Sequence, residues 1–305
     1  MPIKDVFKRL LTLLIAVPCL ALAATVSVTD DTGKQIVLVQ PAQRIIALSP
    51  HVVETLFVAG AGKKIVGAVE YSDYPLQAKT IPRVGGYARI DLESIIALKP
   101  DLVIAWETGN APSALEKLRA LGIPIYLSQP TTLADIGSEI EKFGLLAGTS
   151  AVATPAAQKY RAKLDSLTKN YQARPSIGVF YQISEAPLMT IGGHQIISNA
   201  LTICGGKNIF AGLTPMAPVI STEAVLAANP EVIMTSGMAK LNPTGLDFWK
   251  KWAALTATQR SNFFFIDPDL MNRSGPRMLE GTVQVCEALQ TARARRPNTP
   301  QASQK

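Results

Sequence analysis

A thirteen-residue pattern occurs twice in this chain, 130 positions apart and without a gap. Leu92-Glu93-Ser94-Ile95-Ile96-Ala97-Leu98-Lys99-Pro100-Asp101-Leu102-Val103-Ile104 resembles Thr222-Glu223-Ala224-Val225-Leu226-Ala227-Ala228-Asn229-Pro230-Glu231-Val232-Ile233-Met234. In each copy an acidic residue stands near the start of a short amphipathic helix, where the helix dipole favours it. The helix stops before Pro100 or Pro230. A buried strand follows at once, Leu102 to Ala105 and Val232 to Met234. A second pair, Gly62-Lys63-Lys64-Ile65-Val66 and Gly206-Lys207-Asn208-Ile209-Phe210, lies 144 positions apart. Helix, proline, acid and strand are common α/β punctuation, but two matches in the same order point to a duplicated α/β unit. The offsets differ by 14, so the first copy carries about 14 extra residues between the landmarks. They fall within Glu70 to Arg89, a stretch containing Tyr71-Ser72-Asp73-Tyr74-Pro75 and Gly85-Gly86-Tyr87. Loops of this kind, at the carboxyl ends of parallel strands, are where α/β folds bind ligands.

The rest of the chain fits two such lobes. Val26 to Leu38 alternates around Asp31-Thr32-Gly33-Lys34 and predicts a hairpin. Arg44 to Leu48 reads as a buried strand, and Val52 to Ala59 as a helix opened by Ser49-Pro50. A helix over Ala114 to Leu121, a strand over Ile123 to Leu127 and a helix over Leu133 to Leu146 follow. Ala151 to Tyr171 reads as one long helix with Ala153, Ala157, Tyr160, Leu164 and Leu167 on its apolar side. A strand from Ile177 to Tyr181 opens the second half. Strands alternating with helices imply parallel sheets. The expected organisation is a lobe over 24–147, a connecting helix over 148–173, a second lobe over 174–292 and a disordered tail over 293–305.

Residues 1–23 read as a secretory signal, with Lys4, Lys8 and Arg9 ahead of an apolar run and a small-x-small site ending at Ala23. The run is too short for a good membrane span. Pro18 makes Cys19 a poor lipidation site. Of the net charge of +7, the first 23 residues carry +2 and the last 13 carry +4, leaving +1 for the body. A body so near neutrality has no basic face for nucleic acid. With Cys19 removed, Cys204 and Cys286 remain in an oxidising compartment. They are candidates for one disulfide, or for two separate buried thiols.

No catalytic motif appears, and an enzyme is not expected. His51 and His194 are the only histidines, far apart in sequence, and form no metal-ligand spacing. His51, beside Pro50 at a helix start, reads as structural. The chemistry left is aromatic and polar: Tyr71, Tyr74, Tyr87, Trp106, and Asp269 with Arg273. Aromatic rings beyond strand ends suit a flat, largely apolar ligand. Trp106 suits ligand contact or packing equally. For Asp269 and Arg273 a surface ion pair with no function is the commoner case.

Glu70-Tyr71-Ser72-Asp73-Tyr74-Pro75, then Leu98-Lys99-Pro100-Asp101-Leu102-Val103-Ile104-Ala105-Trp106, then Cys204-Gly205-Gly206-Lys207-Asn208-Ile209-Phe210 resemble motifs of the class III periplasmic binding proteins, in the vitamin B12-binding branch that serves bacterial ABC importers. The likeness spans about residues 42–290. It implies two Rossmann-like lobes with parallel-rich sheets joined by a single rigid helix. It implies a periplasmic monomer with no cofactor, which delivers a corrinoid (cobalamin or cobinamide) to an inner-membrane permease and ATPase complex. Corrinoid contacts would come from Tyr71, Tyr87, Trp106, Asp269 and Arg273. Met189, Ala217 and Leu270 stand where the family has aromatic rings, which thins the second lobe's wall. The resemblance pairs Cys204 with Cys286 and assigns permease docking to Glu93 and Glu223. Haem or a ferric siderophore is the alternative ligand on the same fold.

Overall fold

The computed structural model describes residues 25–86, 88–237 and 243–297. It opens on an antiparallel hairpin of β1 (Val26–Thr29) and β2 (Gln35–Leu38). Val26, Val28, Ile36 and Leu38 are buried while their neighbours face out, as a period of two requires. Asp31 fastens the hairpin to the first lobe: its carboxylate accepts from the Gln129 amide at 2.8 Å and from Lys142 Nζ at 3.0 Å. Those partners hold the Asp31 carboxyl below its ordinary value, against the upward push of burial.

The first lobe contains β3 (Ile45–Ala47), α1 (Pro50–Val58), β4 (Ile65–Ala68), α2 (Leu92–Ala97), β5 (Leu102–Trp106), α3 (Pro112–Ala120), β6 (Ile125–Ser128) and α4 (Leu133–Ala147). Its sheet is wholly parallel in the order β4-β3-β5-β6. A long helix, α5 (Ser150–Tyr171), follows. The second lobe contains β7 (Ile177–Glu185), β8 (Leu188–Thr190), α6 (Ile196–Ile203), β9 (Gly206–Asn208), α7 (Thr222–Ala228), β10 (Val232–Thr235), α8 (Asp247–Lys250), α9 (Thr256–Gln259), β11 (Phe263–Phe265), α10 (Pro268–Met271) and α11 (Met278–Ala294). Here β11, β10, β7 and β9 run parallel, and β8 adds antiparallel to the far end of β7.

The two sheets are built alike. β3 and β7 occupy the same place, flanked by β5 and β10 on one side and by β4 and β9 on the other. The duplicated segments are alike in backbone detail as well. Asp91 and Ser221 each cap the helix that follows, accepting from Ser94 N and Ala224 N. Lys99 and Asn229, each just before the proline, both take a positive φ, of 47° and 41°. The chain therefore turns the same way into β5 and into β10. The second copy departs by lengthening β7 to Glu185, past the expected end at Tyr181, which creates the edge for β8.

The five apolar residues expected on α5 are its buried ones. They belong to one apolar core that takes in Leu56 and Phe143 from the first lobe and Leu201 and Leu289 from the second. The helix thus shares its apolar side with both lobes, and is longer than any other helix among the described residues.

One expectation fails. Residues 293–297 are held in place: α11 runs to Ala294, and the arginines around its end find acceptors. Arg293 donates to the carbonyls of Pro175 and Cys204, both at 2.8 Å. Arg296 forks onto the Glu231 carboxylate at 2.8 and 2.6 Å. Composition alone reads this segment as solvated, but bidentate pairing gives it a fixed place. The residues beyond 297, like the signal expected over 1–23, lie outside the described residues.

Cys204, at the end of α6, and Cys286, within α11, are buried and joined in a disulfide with an S–S distance of 1.98 Å. The bond closes a separation of 82 residues. In the chain-entropy account, reducing it should cost about 3–5 kcal/mol of stability. A denaturant titration with and without reductant checks this; coincident curves would show that the bond contributes nothing.

Candidate functional site: the cleft between the lobes

Carboxyl ends of parallel strands carry the site residues in both lobes. β4 leads into Glu70–Pro75, β5 ends on Trp106, β6 leads into Gln129, and β11 leads through Ile266 to Asp269 and Arg273. Several contacts cross from one lobe to the other here. Gln129 Nε2 meets Met216 Sδ at 3.9 Å, and Leu133 N donates to Asn199 Oδ1 at 2.9 Å. Gly275, two residues beyond Arg273, lies close against His51.

The Tyr71 loop is held at three points. Glu70 N donates to the Gly85 carbonyl at 2.9 Å, Arg83 donates to the Ser72 carbonyl at 2.8 Å, and Arg273 Nη1 reaches Asp73 Oδ1 at 2.7 Å. Tyr71 itself has φ 62° and its side chain is 70% exposed. A tyrosine in that left-handed conformation is strained, and such strain gathers at functional sites. Gly85 has φ 93°, and a Cβ there would run into the Arg89 carbonyl. Only glycine can make this turn. Tyr87, expected as a ligand contact, lies outside the described residues.

Trp106 packs and remains partly accessible. Its ring meets the His51 ring edge-on at 6.0 Å between centroids and covers Gly109, where any side chain would collide with it. Its amide donates to Asn110 Oδ1 at 2.7 Å, and Asn110 Nδ2 donates to the Leu48 carbonyl at 3.0 Å. This buried asparagine therefore ties the end of β5 to the end of β3. His51 is structural, as expected: Nδ1 faces Ser49 Oγ at 2.6 Å and Nε2 faces Ser128 Oγ at 3.0 Å. Burial pushes its imidazole down to about 4 from 6.5, although Asp31 pulls the other way.

Arg273 is not a free cleft cation. It is 12% exposed and engages Glu54 Oε1 at 3.2 Å, Asp73 at 2.7 Å and Asp269 at 3.5 Å. Burial alone would lower its guanidinium, and the Asp73 and Glu54 carboxylates instead hold it above its ordinary value. The pair Asp269–Arg273 is thus part of a larger cluster. Arg277 forks onto Glu54 at 2.9 and 2.7 Å and stacks over the Tyr74 ring at 3.8 Å. Glu54, Asp73 and Arg277 are the residues the sequence reading missed. The signal was available for Glu54, the one charged residue in the mostly apolar run Val52 to Ala59. In the second lobe's wall, Met189 and Leu270 are half-buried and Ala217 is exposed. Glu93 and Glu223 are each exposed in the first turn of their helices, and Glu93 lines the same surface cavity as Glu70 and Tyr71. No group of three or more His, Cys, Asp or Glu among the described residues could hold a metal ion.

The profile of the family described as periplasmic binding protein matches residues 45–270. The chain belongs to that family. Within it, the vitamin B12-binding protein of Vibrio cholerae is 42% identical over 253 residues, covering 83% of this chain and 91% of the relative. The namesake of Yersinia pestis is 35% identical over 250 residues, 82% of this chain and 87% of that one. The crystal structure of the periplasmic vitamin B12-binding protein BtuF of Vibrio cholerae superposes with a TM-score of 0.77 at 40% identity, covering 83% of this chain and 98% of its own. A periplasmic haem-binding protein from Pseudomonas aeruginosa shares the fold, with a TM-score of 0.70 at 24% identity over 81% of this chain and 92% of its own. These proteins bind solutes and are not enzymes, and the class III architecture expected from the sequence is the one found.

The buried His51 sets a pH limit. As pH falls below 6.5 the unfolded chain takes up a proton that the folded protein resists down to about 4. The stability from this residue is complete above 6.5 and is lost between 6.5 and about 4, roughly 3 kcal/mol in all. Denaturant titrations across that window should show the loss in the parent and a shallower one in His51→Gln. Parallel pH profiles would remove His51 as the cause.

Proposed function

We propose that this protein is the periplasmic solute-binding component of an ABC importer and that it holds a corrinoid, cobalamin or cobinamide, in the cleft between its lobes. The observation that carries the reading is the likeness to vitamin B12-binding proteins over 83% of the chain, together with the cleft's make-up. Tyr71 and Trp106 offer aromatic surface to a flat macrocycle. Tyr87 belongs to the same proposal. Asp269 and Arg273 bring charged hydrogen-bonding groups suited to a periphery rich in amides. With Met189, Ala217 and Leu270 opposite, most of the aromatic grip falls to the first lobe.

Export by the signal over 1–23, with cleavage after Ala23, places the protein in the periplasm. The lobes are assigned to 24–147 and 174–292, with the connecting helix over 148–173 between them. Docking onto the permease is assigned to Glu93 and Glu223. These glutamates are equivalent members of the repeat, and like charges on two similar lobes suit a partner with twofold symmetry. Each also favours its own helix N-terminus.

Calorimetric titration with cyanocobalamin and cobinamide should give one site per chain. Trp106→Ala should weaken it by roughly ten- to a hundred-fold. Absence of binding by both corrinoids would reject the ligand, and a haem titration followed in the Soret region would then test the alternative. The double variant Glu93→Ala, Glu223→Ala should bind corrinoid like the parent yet fail to support uptake in cells. Normal uptake would remove the docking role.

A further inference from the structure

Glu54 sits on α1, 2% exposed, and every hydrogen bond described for its carboxylate comes from the other lobe. Arg277 takes both oxygens, and Arg273 Nη1 shares Oε1. That same Nη1 reaches Asp73 on the Tyr71 loop, so one nitrogen bridges two carboxylates of the first lobe. The Tyr74 ring closes over Arg277 from the loop side. Three elements, α1, the Tyr71 loop and the segment joining α10 to α11, therefore meet on one group of charges.

We propose that Glu54 is the positioning residue of the cleft, an ion-pair latch that fixes the spacing of the lobes and, through Arg273, the pose of the Tyr71 loop. This rests on the reading of the cleft as the ligand site for its second half alone. Water screens so enclosed a pair poorly, and α1 cannot move from α11 without uncovering Glu54. When the lobes part, Asp73 loses Arg273 at the same moment, so lobe spacing and loop pose change together. Arg273 is then at once a wall of the cleft and the link between its two sides. Glu54 needs no contact with ligand to set how firmly ligand is held.

Spin labels on cysteines placed at Leu121 and Val219, exposed sites in the first and second lobes, report lobe spacing by pulsed EPR without ligand. The parent should give one narrow distance distribution. Glu54→Gln should broaden it, whereas Ile140→Val, a core change within the first lobe, should not. Asp73→Asn should leave the spacing narrow, since Glu54 keeps both arginines. Cyanocobalamin should dissociate roughly ten-fold faster from Glu54→Gln, and Asp73→Asn should also release it faster than the parent does. A distribution as narrow in Glu54→Gln as in the parent overturns the latch. So does broadening of the same size in Ile140→Val, which would make the effect one of general destabilisation. Should Glu54→Gln fail to fold, Arg277→Gln removes the forked partner and carries the same expectations. If the parent binds no corrinoid, the distances still decide the latch, and the ligand reading alone falls.

Discussion

A carboxylate that is 2% exposed must be met by donors, and Glu54 finds its donors across the lobe boundary. Removing one partner from such a buried pair typically costs about 3–5 kcal/mol. The cost of isolation makes the boundary specific, because few arrangements of two lobes bring two guanidiniums to the same point. The other boundary contacts are weaker in kind: a thioether, an amide and a close approach of Gly275 to His51. The core shared along α5 supplies apolar adhesion, which is not directional. The ion pairs supply direction.

The duplicated unit explains why the cleft exists. Each copy ends its parallel strands at the same level, so placing two copies side by side leaves a crevice flanked by loops from both. What the copies share is the capped helix, the turn at Lys99 or Asn229, and the exposed glutamate in the helix's first turn. What they do not share lies at the crevice: the Tyr71 loop in the first lobe, and β8 with its neighbouring Met216 loop in the second. Backbone strain follows this division in part. Tyr71 is held at φ 62° by hydrogen bonds to its loop's neighbours, at a place where its ring stays exposed.

Much of the architecture was legible in the sequence. Period, proline and glycine punctuation are local properties, and the repeat supplied the long-range relation that local patterns lack. The five inward residues of α5, the hairpin and the structural role of His51 all follow from such signals. The ion-pair cluster did not. Glu54 and Arg277 are 223 positions apart, and nothing in either neighbourhood names the other. Arg273 could be paired in sequence only with its neighbour Asp269, because the partners Glu54 and Asp73 are about 200 positions away. Residues 293–297, the start of the expected tail, were misread for a related reason. Three arginines among prolines resemble a solvated end until Glu231 and the carbonyls of Pro175 and Cys204 are seen beside them.

Those tail contacts carry a further consequence. Arg293 bonds the Pro175 carbonyl and Arg296 bonds the Ser176 carbonyl, immediately before β7 begins. The point where the chain enters the second lobe and the point where it leaves are therefore side by side, stitched together at the foot of α5. A lobe whose two ends lie together joins the rest of the backbone at one place, however extensive its packing against α5 and the first lobe. It can be exchanged for the corresponding lobe of a relative with only two joins, both distant from the crevice. Recombination between genes of this kind thus joins one lobe's crevice loops to another's through a single region of backbone, at the opposite ends of the parallel strands.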